Sequence, residues 1–401
     1  MKRSIRWIVC FLTMMMTVGV LPMSAAPAVS TVDLASAAEN VKLLGRTTVS
    51  EKGIEPHSTG AGIAFYAECG GDITLTMTGK PTKFSSLYLA VFVDGEQHRV
   101  EFPCELNRRS TEELVIATDL EPGKHTIEIV RETEENYGTY LWESISLDGV
   151  ISPMEERPLL IEFVGDSLTA GYASYPETED RQGLSVEHPA YEAGVKTYAY
   201  LTAEALHADF QSVCASGYGV VRGYNNDGVT VPELYEYAGY YHNKSDDGKW
   251  SFARQADVVV INLGSNDAAR GVSEDEMRDG AKAFLQSVRE HNPEASVVWM
   301  TGKSSAKYDD VLSAVVEELG GAEEKFHFVN LPEGSSGGAG HPNLDEHAET
   351  ADALTQFLQE SVIPAPAEDG TLGTVLWVCG AVLLAVIVAV AFFVWKKKAA
   401  G

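Results

Sequence analysis

Four short polar segments of the chain combine the residue types that serine-dependent ester hydrolysis requires. They are GDSL at residues 165–168, ASGYG at 215–219, GSND at 264–267 and GHPN at 340–343. A serine hydroxyl can act as a nucleophile, a histidine can carry its proton, and glycine and asparagine can supply neutral N–H donors to an oxyanion. Together the segments predict one hydrolytic site.

One residue in each segment has a predicted role. Ser167 is expected to start a helix, so that its hydroxyl is the nucleophile and its backbone N–H an oxyanion donor. Gly217 lets the backbone approach a ligand closely and offers a second N–H. The Asn266 amide offers a third donor without adding charge. His341 takes the serine proton and returns it to the leaving group. This chemistry needs no metal and no organic cofactor.

The sequence leaves open what supports His341. In many serine hydrolases a carboxylate three residues before such a histidine orients the ring, whereas this chain has Gly338 there. A backbone carbonyl of Gly338, Ala339 or Gly340 is one candidate acceptor for the Nδ1–H group. Asp345, one helical turn downstream, is another candidate and is expected to point away from the ring.

Three neighbouring polar residues are predicted to have structural roles. Asp166 and Asp267 are expected to tie the loops together through hydrogen bonds to the backbone. His347, six residues after His341, is expected to face solvent or to pack within a helix.

Buried strands must position these residues at one edge of a sheet. The apolar runs that predict them are LLIEFVGDS, ADFQSVCASG, ADVVVINLGSND, ASVVWMTG and FHFVNLPEG. Helices are predicted within residues 190–207, after a capping box of Ser273 and Glu276, and over 308–319 and 344–358. The capped helix should bury Met277, Ala281, Phe284, Leu285 and Val288. Alternating strands and helices predict a parallel sheet with helices on both faces, over residues 159–362. Ligands bind beyond the carboxyl ends of such strands.

Residues 41–150 have a different pattern. Apolar and polar residues alternate with a period of two, and turn signals stand at residues 94–95 and 121–123. Short strands without helical stretches predict an antiparallel β-sandwich. A polar joint with two prolines, residues 152–158, separates this domain from the α/β domain.

The two ends of the chain indicate export and anchoring. Residues 1–28 read as a signal peptide, with basic residues, an apolar run and an A-x-A cleavage site. A stalk, residues 363–372, leads to an uncharged run over 373–395 that is long enough to cross a bilayer. The lysine-containing tail, 396–401, should stay in the cytoplasm. The sequence therefore predicts a body that lies outside the cell and is anchored in the plasma membrane by one transmembrane helix.

Charge and cysteine content exclude some classes of function. The formal net charge of −28 repels phosphate backbones, so nucleic acid is excluded as a partner, whereas a neutral polymer is tolerated. The same charge also suffices simply to keep the protein soluble. The cysteines show no metal-ligand spacing, and a Cys69–Cys104 bridge is one alternative to two free thiols.

The four segments resemble, in order and spacing, the motifs of the SGNH (GDSL) hydrolases, whose α/β domain is flavodoxin-like. Together with RPLLIEFVGDSLTAGY, KTYAYLTAEAL, VPELYEY and the preceding β-domain, the chain resembles carbohydrate esterase family two over residues 41–361. This resemblance implies a jelly-roll domain joined to an SGNH domain that removes acetyl groups from plant-wall polysaccharides. It places the nucleophile on Ser167, the base on His341, and the oxyanion donors on Ser167, Gly217 and Asn266.

The chain departs from that family beside the histidine. Family members commonly place an aromatic residue directly before it, where a sugar can stack, and this chain has Gly340. Candidates for a replacement platform are Tyr172, Tyr191, Tyr218 and Tyr224, each of which core packing explains equally well. Two alternative functions stay open: an esterase acting on other acylated glycans or lipids, and an inactive membrane-tethered carbohydrate-binding protein.

Overall fold

The computed structural model describes residues 29–224, 228–239 and 248–363. The predicted signal peptide (1–28), and the predicted stalk, span and tail beyond residue 363, lie outside the described residues. None of the helices within these described ranges is both long and apolar enough to cross a membrane.

The N-terminal part of the chain is an antiparallel sheet with the strand order β3-β4-β9-β5-β8-β6-β7, in which β1 also pairs with β9 and β2 with β5. The strands are β1 (Ser30–Asp33), β2 (Lys42–Leu44), β3 (Thr47–Ser50), β4 (Gly53–Pro56), β5 (Gly62–Pro81), β6 (Ser86–Val93), β7 (Glu96–Pro103), β8 (Ser110–Arg131) and β9 (Gly138–Pro153). The sheet thus extends beyond both ends of the predicted range of 41–150, because β1 and the end of β9 pair with its central strands.

The strands of the domain predicted as a β-sandwich form one hydrogen-bonded network around an apolar core of its own. Its central strands β5 and β8 are long and change register between Cys69 and Thr74, which lets them continue through the domain. The predicted turn at residues 121–123 lies inside β8 at this irregularity, whereas the one at 94–95 forms the β6–β7 hairpin. Cys69 and Cys104 are both free thiols.

The C-terminal part is a parallel sheet with the order β11-β10-β12-β13-β14. Its strands are β10 (Leu160–Gly165), β11 (Asp209–Cys214), β12 (Val258–Asn262), β13 (Ser296–Thr301) and β14 (Phe326–Asn330). The helices are α1 (Ser167–Ala170), α2 (Tyr198–Ala205), α3 (Val231–Tyr235), α4 (Ser265–Ala269), α5 (Glu274–His291), α6 (Asp309–Glu318) and α7 (Leu344–Ser361). The predicted parallel α/β domain is confirmed, as are the capping box and the buried face of α5.

The predicted helix over 190–207 is shorter than expected. It begins only at Tyr198, where the Thr197 hydroxyl accepts the Tyr200 N–H and caps α2. Upstream, Gly194 packs so tightly that a Cβ there would lie 2.2 Å from the Glu132 carbonyl oxygen of the antiparallel domain. The segment before α2 forms only short 3-10 turns, at Pro189–Tyr191 and Gly194–Lys196.

Helices cover both faces of the parallel sheet. One core contains α3, α5 and α6, and the other contains α2 and α7. Ala90 and Val130 of the antiparallel sheet belong to this second core and are fully buried in it. The two domains therefore share apolar packing, and the antiparallel domain lies against the α/β domain.

Candidate active site

Ser167 and His341 meet at the carboxyl edge of the parallel sheet. Ser167 directly follows β10 and Asp166 and is the first residue of α1. Its Oγ lies 2.8 Å from Nε2 of His341, which stands between β14 and α7. This is the distance at which a neutral imidazole can accept the serine proton. The structure thus brings together the two residues that the sequence assigned as nucleophile and base.

The His341 ring is largely enclosed. The Tyr172 ring packs beside it with a centroid distance of 4.8 Å. Burial lowers the pKa of His341, and the carbonyls of Gly338 and Ala339 counteract this shift without reversing it. The ring is therefore neutral around neutral pH, the state that a general base requires.

Backbone atoms surround the second ring nitrogen. Nδ1 is buried beside the Gly338 and Ala339 carbonyls, although it makes no hydrogen bond of good geometry with the described residues. Asp345 is exposed and has no described hydrogen bond to the ring. Of the candidates raised by the sequence, the Gly338 and Ala339 carbonyls are the groups that lie beside the ring.

The absence of a carboxylate at position 338 has a steric counterpart. A Cβ on Gly338 would lie 2.5 Å from the Val186 side chain and 2.9 Å from the Ala173 Cβ. The Gly338 N–H also donates to the Ala173 carbonyl at 2.9 Å, which fixes the loop against this wall. An aspartate therefore has no space at this position in the present backbone.

A carboxylate outside the ring's reach anchors the histidine loop. Glu346 accepts hydrogen bonds from the Asn343 N–H, the Ser336 N–H and the Ser336 hydroxyl at 2.7–3.0 Å. Burial raises the pKa of Glu346, but these bonds outweigh it and hold the pKa at about 2. The sequence reading did not identify this anchor, although the N-x-x-E spacing of Asn343 and Glu346 is a capping-box signal.

Two backbone N–H groups are free to serve as oxyanion donors. Gly217 has a φ of 86°, which favours glycine, and its carbonyl accepts the Tyr224 N–H at 2.6 Å. Within the part of the chain that the structure describes, no hydrogen bond uses the N–H of Ser167 or of Gly217. Both N–H groups are therefore available for the oxyanion-donor role that the sequence predicts for them.

Asn266 is differently engaged. Its Nδ2 donates to Asp166 Oδ2 at 2.9 Å and to the Tyr218 carbonyl at 2.8 Å. These bonds use both amide hydrogens and connect the residue before Ser167 with the residue after Gly217. The role of Asn266 as an oxyanion donor stays a prediction and requires one hydrogen to leave its present acceptor.

The two aspartates have the expected structural roles. Asp267 accepts the backbone N–H groups of Val220, Val221 and Arg222 at 2.8–2.9 Å. Asp166 accepts the Leu168 N–H as well as bonds from Ser265 and Asn266. Burial raises the pKa of Asp166 to about 7, despite the bonds from Ser265 and Leu168 that lower it.

His347 does not face solvent, which corrects one of the two expectations for it. The side chain is buried, its Nε2 lies 3.0 Å from the Ser174 hydroxyl, and its Nδ1 accepts the Tyr198 N–H at 3.2 Å. Burial lowers its pKa to about 4. His347 therefore packs as a neutral ring between α7 and α2.

Of the four tyrosines considered as sugar platforms, one is open to solvent. Tyr191 and Tyr218 are buried and Tyr172 packs on His341, whereas Tyr224 is 56% exposed. A cavity of about 590 Å³ also borders the histidine loop. Its walls are residues 173–177, Leu184, Val186, Tyr191, residues 336–338 and residues 343–345.

Two family models match the chain. Residues 163–358 match the GDSL-like Lipase/Acylhydrolase family, and residues 43–153 match the Carbohydrate esterase 2 N-terminal family. Two curated proteins of Cellvibrio japonicus (strain Ueda107), each named acetylxylan esterase / glucomannan deacetylase, are similar to the chain. One is 25% identical over 59% of this chain and 67% of that protein, and the other 27% identical over 60% and 71%.

Solved structures share the two-domain fold. An acetyl xylan esterase from the rumen bacterium Butyrivibrio proteoclasticus superposes with a TM-score of 0.72 at 21% identity, over 82% of this chain and 98% of that one. A family two carbohydrate esterase from Clostridium thermocellum, in complex with cellohexaose, gives 0.70 at 22%, over 80% and 98%. The chain therefore carries a GDSL-like lipase/acylhydrolase domain behind a carbohydrate esterase 2 N-terminal domain and is a carboxylic-ester hydrolase.

Proposed function

We propose that this protein hydrolyses O-acetyl esters of polysaccharides of the xylan or glucomannan type through an acetyl-enzyme. The observation that carries the proposal is the 2.8 Å approach of Ser167 Oγ to His341 Nε2, with two unengaged backbone N–H groups nearby in the fold. The names of the Cellvibrio japonicus relatives support the choice of acetylated polysaccharide as substrate.

The mechanism follows from the geometry of the dyad. Ser167 Oγ attacks the acetyl carbonyl carbon while His341 Nε2 takes the hydroxyl proton. The oxyanion accepts hydrogen bonds from the Ser167 and Gly217 N–H groups, with Asn266 as the predicted third donor. The C–O bond to the sugar breaks, and His341 protonates the leaving alcohol. Water, deprotonated by the same ring, then attacks the acetyl-enzyme and releases acetate.

The cavity that borders the histidine loop offers space for a polymer. The cavity that borders Gly338 is open and lined by polar and apolar groups, and the exposed Tyr224 lies on the loop that carries Gly217. Aromatic rings and convergent polar groups are suited to neutral sugars. A strongly acidic surface does not oppose a neutral chain.

The test is acetate release by residues 29–363 from acetylated xylan, acetylated glucomannan and a small aryl acetate. Release by the wild type that disappears in Ser167→Ala supports the esterase and its nucleophile, and the preferred polymer narrows the substrate. A folded wild type that releases acetate from none of the three esters would contradict the proposal and favour a carbohydrate-binding protein.

We further propose that the enzyme acts outside the cell, anchored by residues 373–395. The signal-like start and the uncharged C-terminal run support this location. Protease added to intact cells should remove the esterase activity, and deletion of residues 373–401 should release the activity into the medium. Activity that stays protected until the cells are lysed would contradict this location.

A further inference from the structure

A buried carboxylate of the antiparallel domain reaches the oxyanion loop. Glu134 lies in the connection between β8 and β9 and is 2% exposed. Its Oε2 accepts the Ser216 N–H at 2.6 Å, and its Oε1 bonds the Ser216 hydroxyl. Ser216 directly precedes Gly217, so this side chain from one domain touches the segment that supplies an oxyanion donor in the other.

The contact constrains the orientation of the donor. The Gly217 N–H belongs to the peptide unit that joins Ser216 to Gly217. Glu134 holds the Ser216 side of this unit, while the Tyr224 N–H holds the Gly217 carbonyl on the other side. Glycine in a left-handed conformation has wide backbone freedom, so its orientation depends on such neighbouring bonds. Preorganised donors stabilise an oxyanion because they need no reorientation during the reaction.

Glu134 is itself held rigidly. Its backbone N–H donates to Glu192 Oε1 at 3.0 Å, and its carbonyl accepts from Nη2 of the fully buried Arg131 at 2.9 Å. Arg131 also donates to the carbonyls of Pro56, Thr133 and Gly138. The connection that carries Glu134 is thus fastened to the antiparallel sheet by a single guanidinium.

We propose that Glu134 is a positioning residue for ester hydrolysis, which the antiparallel domain supplies to orient the Gly217 N–H through Ser216. The proposal rests on the proposed function and extends it. It makes the antiparallel domain part of the catalytic unit, in addition to any contact that it makes with a polysaccharide.

Three variants separate the contacts, with aryl acetate hydrolysis as the assay. Glu134→Leu removes both bonds and should lower kcat about 100-fold with KM within about threefold, since loss of one oxyanion donor costs roughly 100- to 1,000-fold. Glu134→Gln should recover kcat to within about fivefold of the wild type, because its Oε1 accepts the Ser216 N–H and its amide donates to the hydroxyl. Ser216→Ala keeps the N–H bond and should lower kcat about threefold.

The matched control is Glu132→Leu. Glu132 lies on the same connection, is fully buried, and bonds Arg99 and the Tyr175 hydroxyl. This variant should lower the Tm while kcat stays within about threefold of the wild type. An equal loss of kcat in Glu132→Leu would overturn the proposal by showing general damage to the connection. If Glu134→Leu does not fold, Glu134→Asp serves instead, because the shorter side chain withdraws the carboxylate from Ser216.

A second readout keeps this proposal separable from the substrate assignment. Ethyl 4-nitrophenyl methylphosphonate phosphonylates the serine and expels nitrophenolate, so the rate of its release reports the oxyanion hole without a sugar ester. Glu134→Leu should slow this labelling of Ser167 about as much as it lowers kcat. Equal labelling rates in the wild type and Glu134→Leu would overturn the role of Glu134. Normal labelling without any polysaccharide deacetylation would contradict the proposed substrate alone.

Discussion

Both loops that meet at the dyad are anchored by carboxylates, but the residues that confine them differ. Carboxylates hold the loop around Gly217, residues 215–224: Asp267 binds three of its N–H groups, and Glu134 binds Ser216. The loop around His341, residues 335–343, is anchored away from the ring by Glu346 and is pressed at Gly338 against Ala173 and Val186. No carboxylate among the described residues hydrogen-bonds the His341 ring.

This difference predicts which substitutions each loop tolerates. A loop held by charge-assisted hydrogen bonds depends on its acceptors, because a buried N–H that loses its partner costs about 1–3 kcal/mol. The His341 loop also depends on volume at Gly338, because added atoms in a filled space cost about 1–3 kcal/mol. Acceptor removal should therefore damage the Gly217 loop, and added bulk should damage the His341 loop.

The largest expected effect tests the base itself. His341→Ala should lower kcat/KM about 1,000-fold, in line with the contribution of a positioned general base. Steady-state assays of aryl acetate hydrolysis measure kcat/KM, and circular dichroism checks that the variant is folded. His347→Ala is the control: it removes a buried packing histidine and should lower the Tm with a far smaller effect on kcat/KM.

The next effect tests how Asp267 supports the Gly217 loop. Asp267→Asn leaves a single amide oxygen for three backbone N–H groups, so the free energy of unfolding should fall by about 2 kcal/mol and kcat about tenfold. Thermal and urea unfolding together with aryl acetate kinetics check both values. Wild-type stability and kcat in this variant would contradict the view that Asp267 holds the Gly217 loop.

The third effect tests the packing around Gly338 in the His341 loop. Gly338→Asp introduces the carboxylate found in many serine hydrolases, yet its Cβ would overlap Val186 and Ala173. We expect kcat to fall about tenfold and the Tm to drop, because overpacking costs about 1–3 kcal/mol. Adding Val186→Ala should recover part of the loss. A Gly338→Asp variant that is more active than the wild type would contradict this expectation. It would show that a new acceptor for the His341 ring outweighs the steric overlap at Gly338.

The pH profile sharpens the comparison with a smaller effect. In the proposed mechanism the neutral form of His341 is the base, and burial lowers its pKa below 6.5. The activity kcat/KM should therefore stay flat as the pH falls to about 6.5 and decline tenfold per pH unit only below the lowered pKa. An acid limb centred above pH 7 would mean that a carboxylate stabilises the charged ring.

The smallest expected effect concerns substrate rather than loop support. Tyr224→Ala removes the exposed ring on the Gly217 loop, and the KM for acetylated polysaccharide should rise about fivefold, as expected for the loss of one stacking aromatic of roughly 1 kcal/mol. The KM for an aryl acetate should not change. Tyr140→Phe, on a ring buried in the core of the antiparallel domain, is the control. An equal change for both substrates would indicate damage to the loop instead.

Sequence signals alone predict the α/β fold and the pairing of Ser167 with His341. Apolar runs that end in polar turns are local signals, and the carboxyl ends of parallel strands share one edge whatever the loops do. Ser167 and His341 could therefore be paired across 174 positions. The capping box of α5 was also readable, because its two bonds join residues only three positions apart.

Contacts between distant segments of the chain hold these residues in place, and the sequence does not predict them. Ser216 and its acceptor Glu134 are 82 positions apart, and Gly338 is confined by Ala173 and Val186 from another segment. Neither residue type nor spacing encodes such contacts, because a buried carboxylate or a missing side chain acquires its role only from the surface that folds against it. The same reason explains the register shifts between β5 and β8 and the burial of His347. The motifs along the chain predict the chemistry of the site. Contacts between distant segments hold the residues of these motifs in place.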